Sequence, residues 1–264
     1  MSPLTIAAAA LGALLAGAAG AAPPSPPAPV RVILVGDSTM ASKSGYGDAL
    51  CARFVPEVKC INLARGGRST STFRKEQRWA DVEALLRDGG AFSASYVLIQ
   101  FGHNDQPGKG ERSTDLVTEF PANMARYAQE TRALGGVPVL VTPLTRRSFK
   151  GEWLRDDLAP WAAATRKVAR QEQAVLLDLN ADSAAAVQAM GQQEADTLAM
   201  APPPAAVAAP VDPNKVEVAG AAKSAFDRTH LGKKGADLFA RMVERELIQA
   251  LPQTRAYFID GGKP

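Results

Sequence analysis

The feature that most constrains this chain is a series of short apolar runs, rich in β-branched residues, that alternate with helical stretches. The runs predict buried strands at Val32–Val35, Val58–Leu63, Tyr96–Phe101, Val137–Thr142 and Val175–Leu179. The longer stretches predict helices at Glu76–Arg87, Thr118–Leu134, Trp161–Gln173 and Lys234–Ala250. Strands that alternate with helices form βαβ units, so the sequence predicts an α/β fold with a parallel, doubly wound sheet between helices.

The length and composition allow one substantial core. The chain has 264 residues, of which 46% are hydrophobic, and this suits a single domain, which we place at residues 31–250. Within it, the Ala/Pro-rich segment Ala199–Val211 cannot form a regular element and predicts a mobile surface insertion. Residues 251–264 are expected to form a C-terminal tail.

The N-terminus has the pattern of an export signal. The first 30 residues contain no charged side chain, and an Ala/Leu/Gly run there ends in small residues before a Pro-rich stretch. This pattern predicts a secretory signal peptide over residues 1–22 and a spacer over residues 23–30. The alternative is a membrane-spanning helix, for which the run is short and rich in Ala and Gly. We therefore expect a periplasmic or secreted protein with no stable membrane association after cleavage.

Charge and cysteine content narrow the expected partners and compartment. Charged residues make up 22% of the chain, the formal net charge is +3, and no Lys/Arg block resembles a nucleic-acid-binding tail. We therefore expect no nucleic-acid partner, and the slight basic bias is compatible with an acidic substrate. The two cysteines, Cys51 and Cys60, would close a small loop by a disulfide in an oxidising compartment. Two buried free thiols are the alternative.

Polar, Gly-containing segments follow the predicted strands. Ligands of an open parallel sheet bind beyond the carboxyl ends of its strands, so these segments are the candidates for a functional site. Gly36–Thr39 follows the first run, Gly66–Ser69 the second and Gly102–Asp105 the third, while Asp227–His230 precedes the last helix. We expect the four segments to converge on one cleft.

These segments contain the groups that nucleophilic catalysis requires. A serine hydroxyl such as that of Ser38 needs a neighbouring base, and the base needs a partner that fixes its tautomer. The chain has only two histidines, His103 and His230, and Asp227 lies three positions before His230. Asp227 and His230 are therefore the candidate orienting group and base. His103 is expected to position its neighbour in the chain, although a second base is the alternative.

The four segments match, in order, the sequence blocks of the SGNH hydrolases: Gly-Asp-Ser, a block-two Gly, Gly-x-Asn-Asp and Asp-x-x-His. The chain resembles this GDSL-like superfamily over about residues 31–250. It is most similar to the rhamnogalacturonan acetylesterases, on the local signatures Gly36–Thr39, Gly67–Ser69, Phe101–Gln106, Arg146–Phe149 and Asp227–Leu231.

The resemblance implies a fold and a set of roles. The fold would be a flavodoxin-like three-layer α/β/α sandwich with a central parallel sheet. Ser38 would be the nucleophile, His230 the general base and Asp227 its orienting carboxylate. The oxyanion hole would comprise the Ser38 N–H, the Gly67 N–H and the Asn104 side chain, and no metal or cofactor would be needed. Gly66 leaves the block-two glycine open by one position, and the Arg-Ser that follows favours Gly67.

Three further side chains are candidates for substrate binding. Arg146 and Arg147 would meet substrate carboxylates, or would form a solvated pair on a loop. Trp153 would provide a stacking surface for a sugar, or would pack against the domain. The sequence therefore predicts an exported serine esterase that deacetylates an acidic plant polysaccharide or oligosaccharide, such as rhamnogalacturonan or another pectin. The alternatives are an SGNH lipase, thioesterase or lysophospholipase, and a non-catalytic carbohydrate-binding accessory protein.

Overall fold

The computed structural model describes residues 29–203 and 226–259. The predicted signal peptide lies outside the described residues, and so do positions 23–28 of the predicted spacer and 204–211 of the predicted insertion. Two boundaries differ from those predicted from the sequence. The spacer ends before Val30, because Val30 already pairs in the first strand, and the insertion begins after Ala199, because Ala199 is buried against the domain.

The elements of the described residues are as follows. In chain order, the strands are Val30–Gly36 (β1), Val58–Asn62 (β2), Ala94–Gln100 (β3), Val137–Val141 (β4), Phe149–Lys150 (β5), Trp153–Leu154 (β6) and Val175–Leu177 (β7). The helices are Gly47–Cys51 (α1), Thr70–Lys75 (α2), Arg78–Arg87 (α3), Glu119–Ala133 (α4), Ala159–Gln171 (α5), Leu179–Asp196 (α6) and Lys233–Ala250 (α7). Two 3₁₀ turns occupy Gly110–Arg112 and Pro252–Tyr257.

The central sheet has five parallel strands in the order β2-β1-β3-β4-β7, and β5 and β6 form a separate antiparallel hairpin. This order is that of flavodoxin-like folds, so the predicted fold class is confirmed. From β1 the chain moves outward to β2 and then returns to add β3 on the other side of β1. The carboxyl ends of β1 and β3 therefore flank the topological switch point, where ligands bind in such sheets.

Helices cover both faces of the sheet because the strands are apolar on both. In β1, Val32 and Leu34 face a core that includes residues of α1, α6 and α7. Ile33 and Val35 face a second core that includes residues of α2, α3, α4 and α5. Successive side chains of a strand point to opposite faces, so one continuous apolar run supplies both cores.

The predicted helices α3, α4, α5 and α7 begin and end within two residues of their predicted bounds. The helices α1 and α2 were not predicted, because five or six residues are too few to display a helical period. Helix α6 and the β5–β6 hairpin were also missed. The predicted strand Val175–Leu179 is shorter than expected, since Leu179 is the first residue of α6.

The predicted C-terminal tail is part of the domain at least to residue 259. Phe258 is only 2% exposed, and its ring stacks on that of Phe54 with their centroids 4.5 Å apart. The backbone adds a bridge between the same two residues. The core therefore extends beyond residue 250, the boundary expected from the sequence. Within the described ranges, no helix combines the length and the apolar character needed to cross a membrane.

Candidate active site

The turn after β1 presents Ser38 at the carboxyl end of the sheet. Gly36 is the last residue of the strand, and the position requires glycine because a Cβ there would lie 2.7 Å from the carbonyl oxygen of Gln100 in β3. Asp37 then reverses the chain, since its Oδ1 accepts hydrogen bonds from both the N–H (2.9 Å) and the hydroxyl (2.8 Å) of Thr39. Ser38 is held between these residues with 5% of its surface exposed.

The structure brings Ser38, His230 and Asp227 together in one hydrogen-bonded relay. His230 Nε2 lies 2.9 Å from Ser38 Oγ, and His230 Nδ1 lies 2.9 Å from Asp227 Oδ2. A carboxylate can only accept, so Nδ1 carries the proton and Nε2 is free to accept from the serine hydroxyl. This arrangement is the one required for a serine nucleophile with a histidine base.

Asp227 also shapes the backbone that carries the histidine. Its Oδ1 accepts from the N–H groups of Thr229 (2.7 Å) and His230 (2.6 Å), so the carboxylate closes a tight turn. Burial alone would raise the pKa of Asp227, but the His230 ring and these N–H groups lower it well below its ordinary value. Asp227 is therefore ionised at neutral pH and can stabilise a protonated His230.

Arg147 is buried against this turn and supports it by hydrogen bonds. It is not accessible to a substrate, so its predicted role in substrate binding is wrong. Its side chain is fully buried, and its guanidinium donates to the carbonyl oxygens of Asp227 (2.9 Å), His230 (2.8 Å) and Thr229 (3.4 Å). Burial lowers the pKa of Arg147 to about 10, opposed by the Asp227 charge, so it stays protonated at pH 7. The structure makes Arg147 a positioning residue.

Three hydrogen-bond donors are available for an oxyanion. Among the described residues, neither the Ser38 N–H nor the Gly67 N–H donates to another group of the chain. Gly67 has φ of 78°, a left-handed conformation that suits glycine. Asn104 Nδ2 donates one hydrogen to the carbonyl of Arg68 (3.0 Å), which leaves its second hydrogen without a partner in the described chain. Gly67 has the left-handed conformation and Gly66 does not, which favours Gly67 as the glycine that offers its N–H to an oxyanion.

Arg112 is a site residue that the sequence did not single out. It is 8% exposed, and its Nη1 donates to Asn104 Oδ1 (3.2 Å), which fixes the direction of the amide. It also lies close to Gly67, since a Cβ on that glycine would be 3.7 Å from the same nitrogen. In the sequence, Arg112 is a lone arginine in a polar, Gly-rich loop. Such residues are ordinarily solvated, so the pattern gave no reason to predict a role in the site.

A buried carboxyl anchors the Asn104 loop to α2. Asp105 Oδ1 accepts from the Thr70 N–H (3.0 Å), the Thr70 hydroxyl and the Thr114 hydroxyl (3.0 Å). Burial raises the pKa of Asp105 to about 7, although these hydrogen bonds oppose the shift. The loop that follows β3 is therefore tied to the start of the helix that follows the Gly67 loop.

His103 contacts Asp37 and not Ser38. Its Nδ1 lies 3.3 Å from Asp37 Oδ2, without the alignment of a hydrogen bond, and both residues are buried. Burial lowers the pKa of His103, while the Asp37 charge opposes the shift. Burial would raise the pKa of Asp37, but His103 and Thr39 lower it. The pair links the loop of Ser38 to the loop of Asn104, and the positioning of Asn104 by His103 stays a prediction.

The other two predicted substrate-binding residues have different surroundings. Arg146 is 4% exposed and is paired with Asp157, so its guanidinium is not free for a substrate carboxylate, and that prediction is wrong. Trp153 lies on β6 and is 74% exposed, so it does not pack against the domain and remains a candidate for sugar stacking. Within residues 29–203 and 226–259, no three His, Cys, Asp or Glu side chains are grouped to hold a metal ion.

A flavodoxin-like sheet with a Ser-His-Asp relay and open N–H donors at its switch point defines the class of carboxylic ester hydrolases, whose reaction needs both features. The family follows from a match along the sequence. A family model described as "GDSL-like Lipase/Acylhydrolase family" matches residues 34–238, and the chain belongs to this family. The predicted relation to the SGNH, GDSL-like hydrolases is thereby confirmed, as is the prediction of an enzyme.

The chain is also similar to proteins that are named as acetylesterases. The chain is 30% identical over 222 residues to "Rhamnogalacturonan acetylesterase RhgT" of Bacillus subtilis, covering 81% of this chain and 88% of that protein. It is 26% identical over 233 residues to "Probable rhamnogalacturonan acetylesterase YesY" of the same organism, covering 85% and 96%. The crystal structure of Axe2, an acetylxylan esterase from Geobacillus stearothermophilus, superposes with a TM-score of 0.57 at 17% identity, covering 82% and 93%. This last likeness is one of fold.

Proposed function

We propose that the chain is an exported acetylesterase that removes acetyl groups from an acidic plant polysaccharide, rhamnogalacturonan or a related pectin, through an acetyl-Ser38 intermediate. One observation carries the proposal. The relay from Ser38 Oγ to His230 Nε2 and from His230 Nδ1 to Asp227 Oδ2 has both distances at 2.9 Å. Every proton transfer in the mechanism passes through His230 Nε2, while the Nδ1 proton stays on the ring and bonded to Asp227.

In the acylation half, Ser38 Oγ attacks the carbonyl carbon of the acetyl ester and its proton passes to His230 Nε2. Asp227 stabilises the imidazolium through Nδ1–H. The oxyanion of the tetrahedral intermediate accepts hydrogen bonds from the Ser38 N–H, the Gly67 N–H and the Asn104 amide. The intermediate collapses as the imidazolium donates its proton to the sugar oxygen, which leaves as a free hydroxyl.

In the deacylation half, a water molecule takes the place of the sugar hydroxyl. His230 Nε2 removes a proton from the water as its oxygen attacks the acetyl carbon on Ser38. The same three donors stabilise the second oxyanion. The proton then returns to Ser38 Oγ, acetate departs and the relay is restored.

The proposed substrate rests on the relatives and on the lining of the site. RhgT and YesY are both named as rhamnogalacturonan acetylesterases. The cleft that borders the nucleophile turn is lined mainly by polar and small side chains, including Ser42, Ser44, Asn62 and Arg65. A long acyl chain would need a larger apolar surface, so this lining favours an acetyl ester on a sugar.

The proposed export rests on the N-terminal pattern and is supported by the cysteines. The structure joins Cys51 and Cys60 in a disulfide, with the two Cα atoms 5.4 Å apart. Disulfides persist in periplasmic and extracellular proteins and are rare in the bacterial cytosol. Both features fit an enzyme that meets a polymeric substrate outside the cell.

The substrate is tested by acetate release from acetylated rhamnogalacturonan, homogalacturonan and xylan, beside p-nitrophenyl acetate and a long-chain p-nitrophenyl ester. We expect turnover of acetyl esters, with the highest kcat/KM on an acidic polysaccharide. A preference for the long-chain ester would identify an acyl lipase or thioesterase instead. No turnover of any ester would leave an accessory carbohydrate-binding role.

The mechanism is tested by comparing the two histidines and the serine. Ser38→Ala and His230→Ala should each lower kcat by several orders of magnitude, because nucleophile and base act as a unit. Asn104→Ala should lower kcat by about 10²–10³-fold, as expected for one oxyanion donor. His103→Ala should cost less, since His103 acts through its neighbours. A folded His103→Ala as inactive as His230→Ala would contradict the assignment of the base.

A further inference from the structure

A cleft of about 420 Å³ lies on the β2 side of the sheet, beside the turn that follows Ser38. One wall is the turn after the nucleophile, which contributes Ser42 and Ser44. A second wall is the chain from Asn62 to Gly66, and a third is the first turn of α3, with Arg78 and Asp81. The volume lies at the lower end of the range for small-ligand pockets and suits a single ring rather than an extended chain.

The cleft is joined to the site through shared backbone. Ser44 Oγ donates to the carbonyl oxygen of Ser38 (2.8 Å), and the carbonyl of Ser44 accepts from the N–H of Leu231, the residue after the catalytic histidine (3.0 Å). On the opposite wall, Gly66 directly precedes the oxyanion-hole residue Gly67. A group in the cleft would therefore be a near neighbour of an ester bound at Ser38.

Some charged side chains of this cleft are paired within the described chain and others are not. Arg78 is held by Glu76, with Nε 2.7 Å from a carboxylate oxygen. Arg65 is exposed, and its guanidinium makes no ion pair or hydrogen bond with any residue of the described chain. Asp81 is likewise exposed and without such a partner. The cleft thus offers one guanidinium and one carboxylate that have no partner in the described chain. The Ser42 and Ser44 hydroxyls already donate, to Asp48 and to the Ser38 carbonyl, so they can only accept from a ligand.

We propose that this cleft is a subsite for a uronic acid of the substrate, bound close to the ester that reacts with Ser38. Arg65 would bind the sugar carboxylate, because the planar guanidinium matches a carboxylate with two parallel hydrogen bonds. Asp81 would accept hydrogen bonds from sugar hydroxyls. The inference rests on the proposed function. It assigns to Arg65 the binding of a substrate carboxylate, which Arg146 and Arg147 cannot provide because they are buried.

The test compares two substrates that differ only at the carboxyl groups of their uronic acids. Acetylated rhamnogalacturonan oligosaccharides are used as prepared and after chemical reduction of their carboxyl groups to alcohols. The discrimination ratio is kcat/KM for the acidic form divided by that for the reduced form. For the full-length wild-type enzyme we expect a ratio above one that falls as salt rises from 0.05 to 0.5 M, since exposed charges are screened.

Three variants assign the discrimination to residues. Arg65→Gln should lower the ratio by about 5- to 10-fold, mostly through KM on the acidic form. Asp81→Asn should lower kcat/KM on both forms alike, because it contacts hydroxyls that both share. Arg170→Gln is the matched control. Arg170 is also exposed and lies near the C-terminal end of α5, which precedes β7 and so is at the opposite edge of the sheet. It should leave the ratio unchanged.

The outcomes separate this inference from the proposed function. Deacetylation of both forms with a ratio near one, or a ratio that Arg65→Gln leaves unchanged, would overturn the subsite and leave the acetylesterase intact. An equal loss in Arg170→Gln would show that overall charge, and not the cleft, sets the preference. Failure to release acetate from either form would overturn the proposed function, and the subsite with it.

Discussion

At the scale of single residues, the active site depends on buried charged side chains that hold the catalytic groups in place. Arg147 binds three carbonyl oxygens of the turn that carries Asp227 and His230, and Arg112 directs the Asn104 amide. A buried guanidinium suits this task because it presents several donors in a rigid plane and remains charged. The catalytic groups are held by these contacts before any substrate arrives.

Removal of the Arg147 guanidinium should impair chemistry rather than binding. In Arg147→Met the apolar stem is kept, but three carbonyl oxygens lose a donor and the His230 turn loosens. We expect kcat to fall by about 10–10²-fold with KM changed by less than about threefold, as for an effect confined to the transition state. Steady-state kinetics on p-nitrophenyl acetate measure both constants.

Two further variants make this result interpretable. Arg147→Lys keeps the charge and one donor direction, so it should recover part of kcat, while the exposed Arg170→Met should resemble wild type. Thermal unfolding establishes that each variant is folded at the assay temperature. A rise in KM at unchanged kcat would return Arg147 to a role in substrate binding.

At the scale of elements, the disulfide secures the edge of the sheet. Cys51 is the last residue of α1 and Cys60 lies in β2, which is the outermost strand on that side. Edge strands lack a neighbour on one side and are open to fraying or to pairing with other chains. The bridge ties β2 to a helix that also packs on α7, and β2 leads directly into the Gly67 loop.

Loss of the bridge should destabilise the fold while leaving the relay in place. Closure of so short a loop is worth about 2–3 kcal/mol from the entropy of the unfolded chain. The double variant Cys51→Ser with Cys60→Ser should show this loss in urea unfolding, with activity retained under native conditions. Intact mass after alkylation without reductant provides the complementary check on protein expressed in an oxidising compartment. Two alkylated cysteines in that sample would rule out the bridge in solution.

At the scale of the whole molecule, α7 carries a buried acid into the core beside α6. Both carboxylate oxygens of Glu246 are buried without a hydrogen-bond partner in the described chain. Burial, together with the charges of Asp182 and Asp178, raises the pKa of Glu246 from 4.5 to about 8. The folded state therefore keeps a proton that the unfolded chain releases at lower pH.

This difference links stability to pH with a defined sign. A carboxyl whose pKa is raised on folding contributes stability that is complete below pH 4.5 and is lost as pH rises towards about 8. Glu246→Gln removes the ionisation while keeping the shape, so its Tm relative to wild type should rise between pH 5 and pH 8.5, by on the order of 10 °C. Thermal unfolding across this range measures the difference, and Glu57→Gln at an exposed position is the control. A difference independent of pH would mean that Glu246 does not titrate in this window.

Much of the architecture could be predicted because it depends on local pattern. A buried strand requires a short apolar run and an amphipathic helix requires a 3.6-residue period, and both can be recognised in one stretch of chain. The strand order follows less directly, from the preference for right-handed crossovers and for ligand sites at switch points. The short helices α1 and α2 carry too few residues for a period and form because neighbouring elements cover them.

The sequence by itself determined the α/β alternation and the residues of the relay, because catalysis restricts Ser38 after the first strand, and Asp227 and His230 before the last helix, to a few residue types. Only the tertiary structure decided what the arginines do. Arg146 and Arg147 are adjacent in the chain, yet one pairs with Asp157 and the other binds the carbonyls of the histidine turn, while Arg65 stays open to solvent. The physical reason is that a guanidinium has the same chemistry everywhere, and its partners are set by the folded chain: they lie 11 positions away for Arg146 and 80 positions away for Arg147 with Asp227.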